Sequence, residues 1–290
     1  MKDFVITCTS TCDMNPYYLR QHNIYYVSFY YYLDDNKYYD DFFKEHSVSE
    51  YYTKIKTCNV KTSQPDPEQY RDLWNKLIEQ GNDILHIEMD SGISGAVNSA
   101  LIAKSLVEET NKDAKIYIVD SLTASAGYGL MLDKICEYRN KYNDIDKVYE
   151  YAEKLRHDIN VVFIVENLDQ LIKGGRLSKV AGGIGKILNV VPILHVDDNG
   201  KLESIKKSRG LNNAMDELIG IISQNIIDND KVIVAHSNCL DNAKTMVSKI
   251  KEKFPNIIIS NEEITNVGTV IGGHTGEGAI VVAYEGKGRV

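Results

Sequence analysis

The sequence predicts an α/β protein of two domains, and three observations carry that prediction. From residue 66 to about residue 142 strand, loop and helix patterns alternate, the grammar of a parallel sheet covered by helices. The turn signal Asp197-Asp198-Asn199-Gly200 then breaks the alternation and implies an antiparallel hairpin in a second, mixed sheet. The length, 290 residues, lies where hydrophobic cores begin to divide, at ~250–300 residues. A boundary near residue 160 gives an N-terminal parallel-sheet α/β/α domain (1–160) and a C-terminal α/β domain with a mixed sheet (161–290).

The opening third is rich in tyrosine: twelve of nineteen precede residue 71, among them Tyr30-Tyr31-Tyr32. Tyrosine favours strands and half-buried surfaces, so Tyr25–Leu33 reads as one strand. Asp66-Pro67-Glu68-Gln69 opens a helix with an Asp N-cap, Pro at the first helical position and Gln at N3. Leu73, Leu77 and Ile78 continue it at helical spacing. A strand over 83–89 follows, then a Ser/Gly loop, and a helix carrying Ala96, Val97, Ala100, Leu101, Ala103 and Val107. Strand 115–119, a polar corner at Asp120-Ser121 and a helix over 124–142 come next. Two more helices and a buried strand, 160–165, are expected to close this unit.

Beyond that point strands 190–196 and 201–207 flank the hairpin turn. A helix over 211–227, strand 231–235, helix 241–254, strand 256–260 and a last strand 279–284 complete the second domain.

Composition narrows the function. At 43% hydrophobic and 26% charged the chain is that of a folded globular protein. Its longest apolar stretches, such as 161–165 and 279–284, fall far short of the ~20 residues of a bilayer helix. Met1–Thr7 has no apolar core of a secretory signal. Five cysteines (Cys8, Cys12, Cys58, Cys136, Cys239) are odd in number and never spaced C-x-x-C, which fits reduced thiols in a cytoplasm better than disulfides or zinc. His86, Asp90 and His236 form no metal-ligand spacing, so neither metal nor cofactor is expected. The net charge of -8 argues against nucleic acid as a partner. Charge is uneven, however: residues 165–210 hold eight basic and five acidic side chains, a local +3 that suits an anionic ligand or partner.

Four segments are candidate sites. Asp90-Ser91-Gly92-Ile93-Ser94-Gly95 lies between a strand end and a helix start, where open parallel sheets bind ligands and where Ser94 either caps its helix or adds a hydroxyl donor. Lys61-Thr62-Ser63-Gln64-Pro65 leads as a stiff segment into another helix. The two hydroxyl-bearing entries converge only if their strands are neighbours. Lys173-Gly174-Gly175-Arg176 and Lys179–Lys186 make a Gly-rich basic stretch without the spacing of a Walker A loop. There Arg176 is either a guanidinium for an anion or a surface charge after a Gly174 helix cap. Last, Gly272-Gly273-His274-Thr275-Gly276-Glu277-Gly278 sets one imidazole among four glycines.

Together these segments resemble the DegV family of bacterial fatty-acid-binding proteins over essentially the whole chain. The resemblance rests on Thr62-Ser63-Gln64-Pro65, Ser91–Gly95 with Asn98-Ser99-Ala100, and Val119-Asp120-Ser121. It continues through Gly174-Gly175-Arg176-Leu177-Ser178, Leu188–Leu194, Arg209, Ala235-His236-Ser237-Asn238 and Gly273-His274-Thr275-Gly276. It implies a binding protein rather than an enzyme, holding one long-chain fatty acid with its carboxylate on Thr62 and Ser94. It also implies transfer of that acid to a separate fatty acid kinase that makes an acyl phosphate, with Arg176, Arg209 and His274 in head-group or partner contact. Any membrane contact is expected to be transient. A stand-alone lipid carrier or sensor, and a carbonyl binder using His274 in the manner of dihydroxyacetone kinases, are the alternatives.

The chain departs from the family pattern at Thr9, where an Asp is usual, at Ala96, where a Thr is usual, and at Glu277, where a Pro is usual. Glu277 so close in sequence is expected to favour the imidazolium form of His274.

Overall fold

The computed structural model describes residues 3–166, 168–177, 189–227, 230–259 and 264–290. Its first half runs β1 (Phe4–Thr9), α1 (Pro16–Gln21), β2 (Ile24–Val27), β3 (Tyr30–Leu33), β4 (Asn36–Tyr39), α2 (Val48–Lys54) and β5 (Val60–Ser63). Then come α3 (Pro67–Glu79), β6 (Asp83–Glu88), α4 (Ala96–Thr110), β7 (Ile116–Asp120), α5 (Ala126–Tyr142) and α6 (Ile145–Leu155). The second half runs β8 (Ile159–Ile164), α7 (Asp169–Lys173), β9 (Val190–Val196), β10 (Leu202–Arg209), α8 (Leu211–Ile222) and β11 (Lys231–His236). It ends with α9 (Leu240–Lys253), β12 (Ile258–Ile259), β13 (Thr265–Asn266), α10 (Thr269–Thr275) and β14 (Ile280–Glu285).

Three sheets result. The first is parallel, in the order β2-β1-β6-β7. The second is mixed, β10-β9-β8-β14-β11-β12, with β13 also on β11. The third is a small antiparallel sheet, β4-β3-β5. The mixed α/β fold is as the sequence predicts.

Several elements differ from expectation. The tyrosine-rich segment is not one strand: β2 joins the parallel sheet, and β3 leaves it for the small sheet after a break at Ser28-Phe29. That break is fixed from outside, because the Phe29 amide donates to Ser10 Oγ at 3.1 Å. Residues 60–63, at the start of the segment read as a stiff lead-in to a helix, are an edge strand that pairs Thr62 with Tyr31. Among the described residues one helix, α6, rather than two, follows α5. Strand β8 does not close the first unit, since it pairs with β9 and β14 in the second sheet. Helix α8 ends at Ile222, short of Ile227, and the strand expected from 256 begins only at Ile258, as β12.

The local signals that held have visible causes. Gln69 Oε1 accepts from the Asp66 amide at 3.0 Å, and Pro67 opens α3. Gly200 takes φ +75° at the hairpin turn, a conformation glycine adopts without steric cost.

Helix α5 joins the two halves. Every residue from Ala126 to Cys136 is buried, because one side packs on α6 and the other on β8, β11 and β14 of the second sheet. Side chains of β8 alternate between two cores: Val161 and Phe163, with Val165 just beyond the strand, face α5 and the first half, whereas Val162 and Ile164 face α8 and α9. That alternation creates the apolar floor of the candidate site. No helix among the described residues is long and apolar enough to cross a membrane.

Candidate functional site

A cavity of about 320 Å³ lies between the second sheet and the loops of the first half. Its apolar wall comes from Val161, Phe163, Val196 and Val281 of the sheet, with Phe29 and Val270 opposite. Its polar lining residues are Thr62, Ser63, Gln64, Ser94, Ser125, Arg176, His274 and Thr275.

Thr62 and Ser94 do line one cavity, although not by the route of neighbouring parallel strands. Thr62 stands on β5 of the small sheet and Ser94 follows β6 of the parallel one. Gln64 joins them: its Nε2 donates to Gly95 O at 3.1 Å and to Ser99 Oγ at 2.8 Å. Ser94 Oγ accepts from the Ala96 amide at 3.2 Å, so the hydroxyl supports its own turn and keeps its proton for another acceptor.

His274 sits in the last turn of α10 with Nε2 2.8 Å from Thr62 Oγ1. Burial, with the Arg176 charge as a second cause, pushes its pKa down to about 4. The imidazole is therefore neutral near pH 7. The expectation that Glu277 would favour the imidazolium is overturned: Glu277 turns away beyond Gly276, ion-paired to Lys56 at 2.5 Å and accepting from Asn238 at 2.6 Å.

Three glycines make this arrangement possible. A Cβ at Gly174 would lie 2.2 Å from His274 Nδ1, and one at Gly272 would lie 2.3 Å from the Tyr52 hydroxyl. At Gly273 it would stand 3.0 Å from the Tyr51 hydroxyl. Tyr51 and Tyr52 in turn donate to the backbone oxygens of Thr269 and Val267, the latter at 2.9 Å. Thus part of the tyrosine-rich region, on α2, clamps that helix onto the start of α10, and the glycines mark the closeness of that clamp.

Arg176 follows Gly174, the C-cap of α7, and Gly175 at φ +73°. It is not a loose surface charge. Half-buried, it donates through Nε to Ile93 O at 3.1 Å and through Nη1 to Gly174 O at 2.6 Å. Burial lowers its pKa from the usual guanidinium value.

Arg209 is placed elsewhere. It ends β10 opposite Val190, seven residues from Leu202 on the cavity wall, which is roughly 23 Å along an extended strand. It is exposed, so any contact it makes is not with a group in this cavity. The Gly-rich stretch Lys179–Lys186 lies outside the described residues.

Beneath the Ser94 loop, Asp90 is fully buried and accepts from the Gly92 amide at 2.7 Å, while its carbonyl accepts from Ser94 N at 3.1 Å. Gly200 of the hairpin rests against its carboxyl group. Desolvation pushes the Asp90 pKa up to about 7. Sequence reasoning named the Asp90 loop but missed this carboxyl group, as it missed the bridging role of Gln64. It also missed Ser125, which borders the cavity at φ +52°, ψ -129°, a conformation costing of order 1–3 kcal/mol.

The DegV family model, whose description reads uncharacterised protein, matches residues 3–287. This chain belongs to the DegV family. A DegV domain-containing protein of Clostridium perfringens is 31% identical over 289 residues, 99% of this chain and 98% of that one. A solved Thermotoga maritima protein reported to reveal a fatty acid binding function is 25% identical with TM-score 0.85, over 99% of this DegV chain and 100% of that one. The fatty acid kinase B3 protein of Streptococcus pneumoniae, loaded with linoleic acid, shares the DegV fold at TM-score 0.85 and 22% identity, over 98% of this chain and 99% of that one. Among the described residues no three His, Cys, Asp or Glu side chains are grouped to hold a metal ion.

Proposed function

We propose that this DegV protein binds one long-chain fatty acid, with the acyl chain in the cavity and the carboxylate on Thr62 and Ser94. In this reading it presents the acid to a fatty acid kinase. The observation that carries the reading is a cavity lined mostly by apolar side chains whose wall also holds the Thr62 and Ser94 hydroxyls, the Gln64 amide and the neutral His274 imidazole. A chain of roughly sixteen carbons contributes a gross ~12 kcal/mol at ~0.8 kcal/mol per CH₂, and association costs remove much of it. The tail supplies affinity and the head supplies orientation.

The neutral His274 gives the head group its geometry. In the Nε2–H tautomer His274 donates to Thr62 Oγ1, which leaves the Thr62 hydroxyl proton for the carboxylate. Ser94 adds a second proton, and Arg176 contributes a half-buried positive charge at the same wall. Donors that stop short of neutralising the carboxylate leave it able to attack the terminal phosphate of ATP in a partner, with ADP leaving. Arg176 and His274 would face the phosphate charge so formed, and Arg209 would serve the partner's surface.

The division between the sheets near residue 160 is the proposed domain boundary, with the cavity between its two sides. All five cysteines are free, which supports a cytoplasmic setting. The apolar wall favours this reading over a polar carbonyl substrate on His274.

Two measurements test it. Native mass spectrometry of the purified protein is expected to show a retained fatty acid. A kinase partner with ATP is then expected to phosphorylate bound stearate. Retention without phosphorylation would leave a lipid carrier and remove the kinase from the account.

A further inference from the structure

The loop that carries Ser94 is held on two sides. On one side the hairpin turn of the second sheet lies against it, so that a Cβ at Gly92 would stand 2.7 Å from the backbone oxygens of both Asn199 and Gly200. Contact that close leaves no room for a side chain. On the other side lies the corner after β7, where Asp120 Oδ1 accepts from the amides of Ser91 at 3.2 Å and Leu122 at 3.1 Å. Between these two grips the loop closes on Asp90, whose carbonyl accepts from Ser94 N and whose carboxyl group accepts from Gly92 N.

Arg289, in the segment that follows β14, is bonded to both grips. Its Nη1 donates to Asp197 O at 2.8 Å, the carbonyl that also receives Gly200 N across the turn. Its Nη2 donates to Leu122 O at 2.7 Å and to Arg156 O, at the end of α6, at 2.9 Å. Burial lowers its pKa, and the carboxylates of Asp90, Asp198, Asp197 and Asp120, from the same loop, turn and corner, act the other way. The corner itself is strained. Leu122 has φ +52°, a left-handed conformation that a residue other than glycine keeps only where its surroundings fix it, and here both its amide and its carbonyl are bonded.

Arg289 does not line the cavity. Its hydrogen bonds go to backbone carbonyls rather than to carboxylates, so what it supplies is geometry. A planar guanidinium reaches three carbonyls through N–H groups in fixed directions, which the ammonium of lysine, a point charge on a flexible stem, does not reproduce.

We propose that Arg289 is a positioning residue for the head-group site, acting through the hairpin turn and the Leu122 corner to hold the Ser94 hydroxyl where the carboxylate meets it. The inference rests on the fatty-acid reading above and deepens it by adding to the head-group site a residue from outside the cavity. The hydroxyl is supplied by the first half of the chain and its placement by the second.

The test is a double-mutant cycle between Arg289 and Ser94 on the full chain, with stearate affinity read by calorimetry at a temperature where thermal melts show every variant folded. Arg289→Lys keeps the positive charge and loses the fork, and is expected to weaken stearate by about tenfold. Ser94→Ala is expected to weaken it comparably, and Arg289→Lys added to Ser94→Ala should then cost no more than about twofold. Damage to the cavity as a whole would persist in the absence of the Ser94 hydroxyl. Gly92→Ala presses on the loop from the hairpin side with Arg289 in place, and is expected to weaken stearate by about tenfold only while Ser94 is present. If either Arg289→Lys or Gly92→Ala binds stearate within about twofold of the natural protein, or loses as much affinity in the Ser94→Ala background, the inference is overturned alone. If stearate fails to bind the natural protein, or binds Ser94→Ala equally well, the head-group reading falls and takes this inference with it.

Discussion

Thr62 and His274, 212 positions apart, stand 2.8 Å from each other between hydroxyl oxygen and imidazole nitrogen. The small antiparallel sheet and the C-terminal half thus meet at the point where the carboxylate is proposed to rest. Removing the Thr62 hydroxyl while keeping its shape isolates its contribution. Thr62→Val is expected to weaken stearate binding by about 10- to 100-fold, the range of one hydrogen bond to a charged group. Titration calorimetry reads this directly, and an unchanged dissociation constant would remove Thr62 from the head-group site.

Stability should also respond to pH through Asp90. Its folded pKa, about 7, lies above the ordinary value of 3.8, so the native state holds a proton that the unfolded chain releases between those two values. Stability therefore falls as pH rises from about 4 to 7, and the full penalty is present above that. Asp90→Asn keeps an acceptor for the Gly92 amide and abolishes the titration. The variant is expected to gain on the order of 2–4 kcal/mol near pH 8 and little near pH 4, measured by urea unfolding at both. His274 acts oppositely: its pKa of about 4 costs stability as pH falls from about 6.5 toward 4. Equal effects of Asp90→Asn at both pH values would contradict the buried-carboxylate account.

Elements governed by local chemistry were legible in the sequence. The Asp66-Pro67 start of α3 and the Gly200 hairpin depend on neighbours within a few residues, and both stand where the pattern places them. What was not legible depends on distant partners. The break between β2 and β3 is fixed by Ser10, and the meeting of Thr62 with Ser94 by Gln64. Proximity in sequence misled at Glu277, because Gly276 at φ +77° separates the imidazole's direction from the carboxylate's.

The two adjacent glycines before Arg176 should respond differently to a methyl group. Gly174 has φ -74°, which alanine tolerates, but the new Cβ would fall 2.2 Å from His274 Nδ1. Gly175 has φ +73° and open space around it. Gly174→Ala is expected to displace the imidazole, cost about 1–3 kcal/mol and weaken stearate binding, as overpacking does. Gly175→Ala should cost about 1 kcal/mol of backbone strain with affinity retained. Equal losses of affinity in both would show that the loop's backbone, not the contact with His274, governs the site.

The alternation along β8 gives the sharpest separation of cavity from core. Val161 faces the cavity and Val162, its neighbour, packs among the side chains of α8 and α9. Phenylalanine at Val161 has empty volume to enter, so Val161→Phe should keep or slightly raise the melting temperature while reducing stearate affinity more than tenfold. Phenylalanine at Val162 meets a filled core, so Val162→Phe should cost about 1–3 kcal/mol and leave affinity nearly unchanged at temperatures where the variant is folded. Thermal melts with stearate titrations on both variants distinguish the cases. If Val161→Phe destabilises as much as Val162→Phe and still binds stearate, the acyl chain does not lie against this face of the sheet.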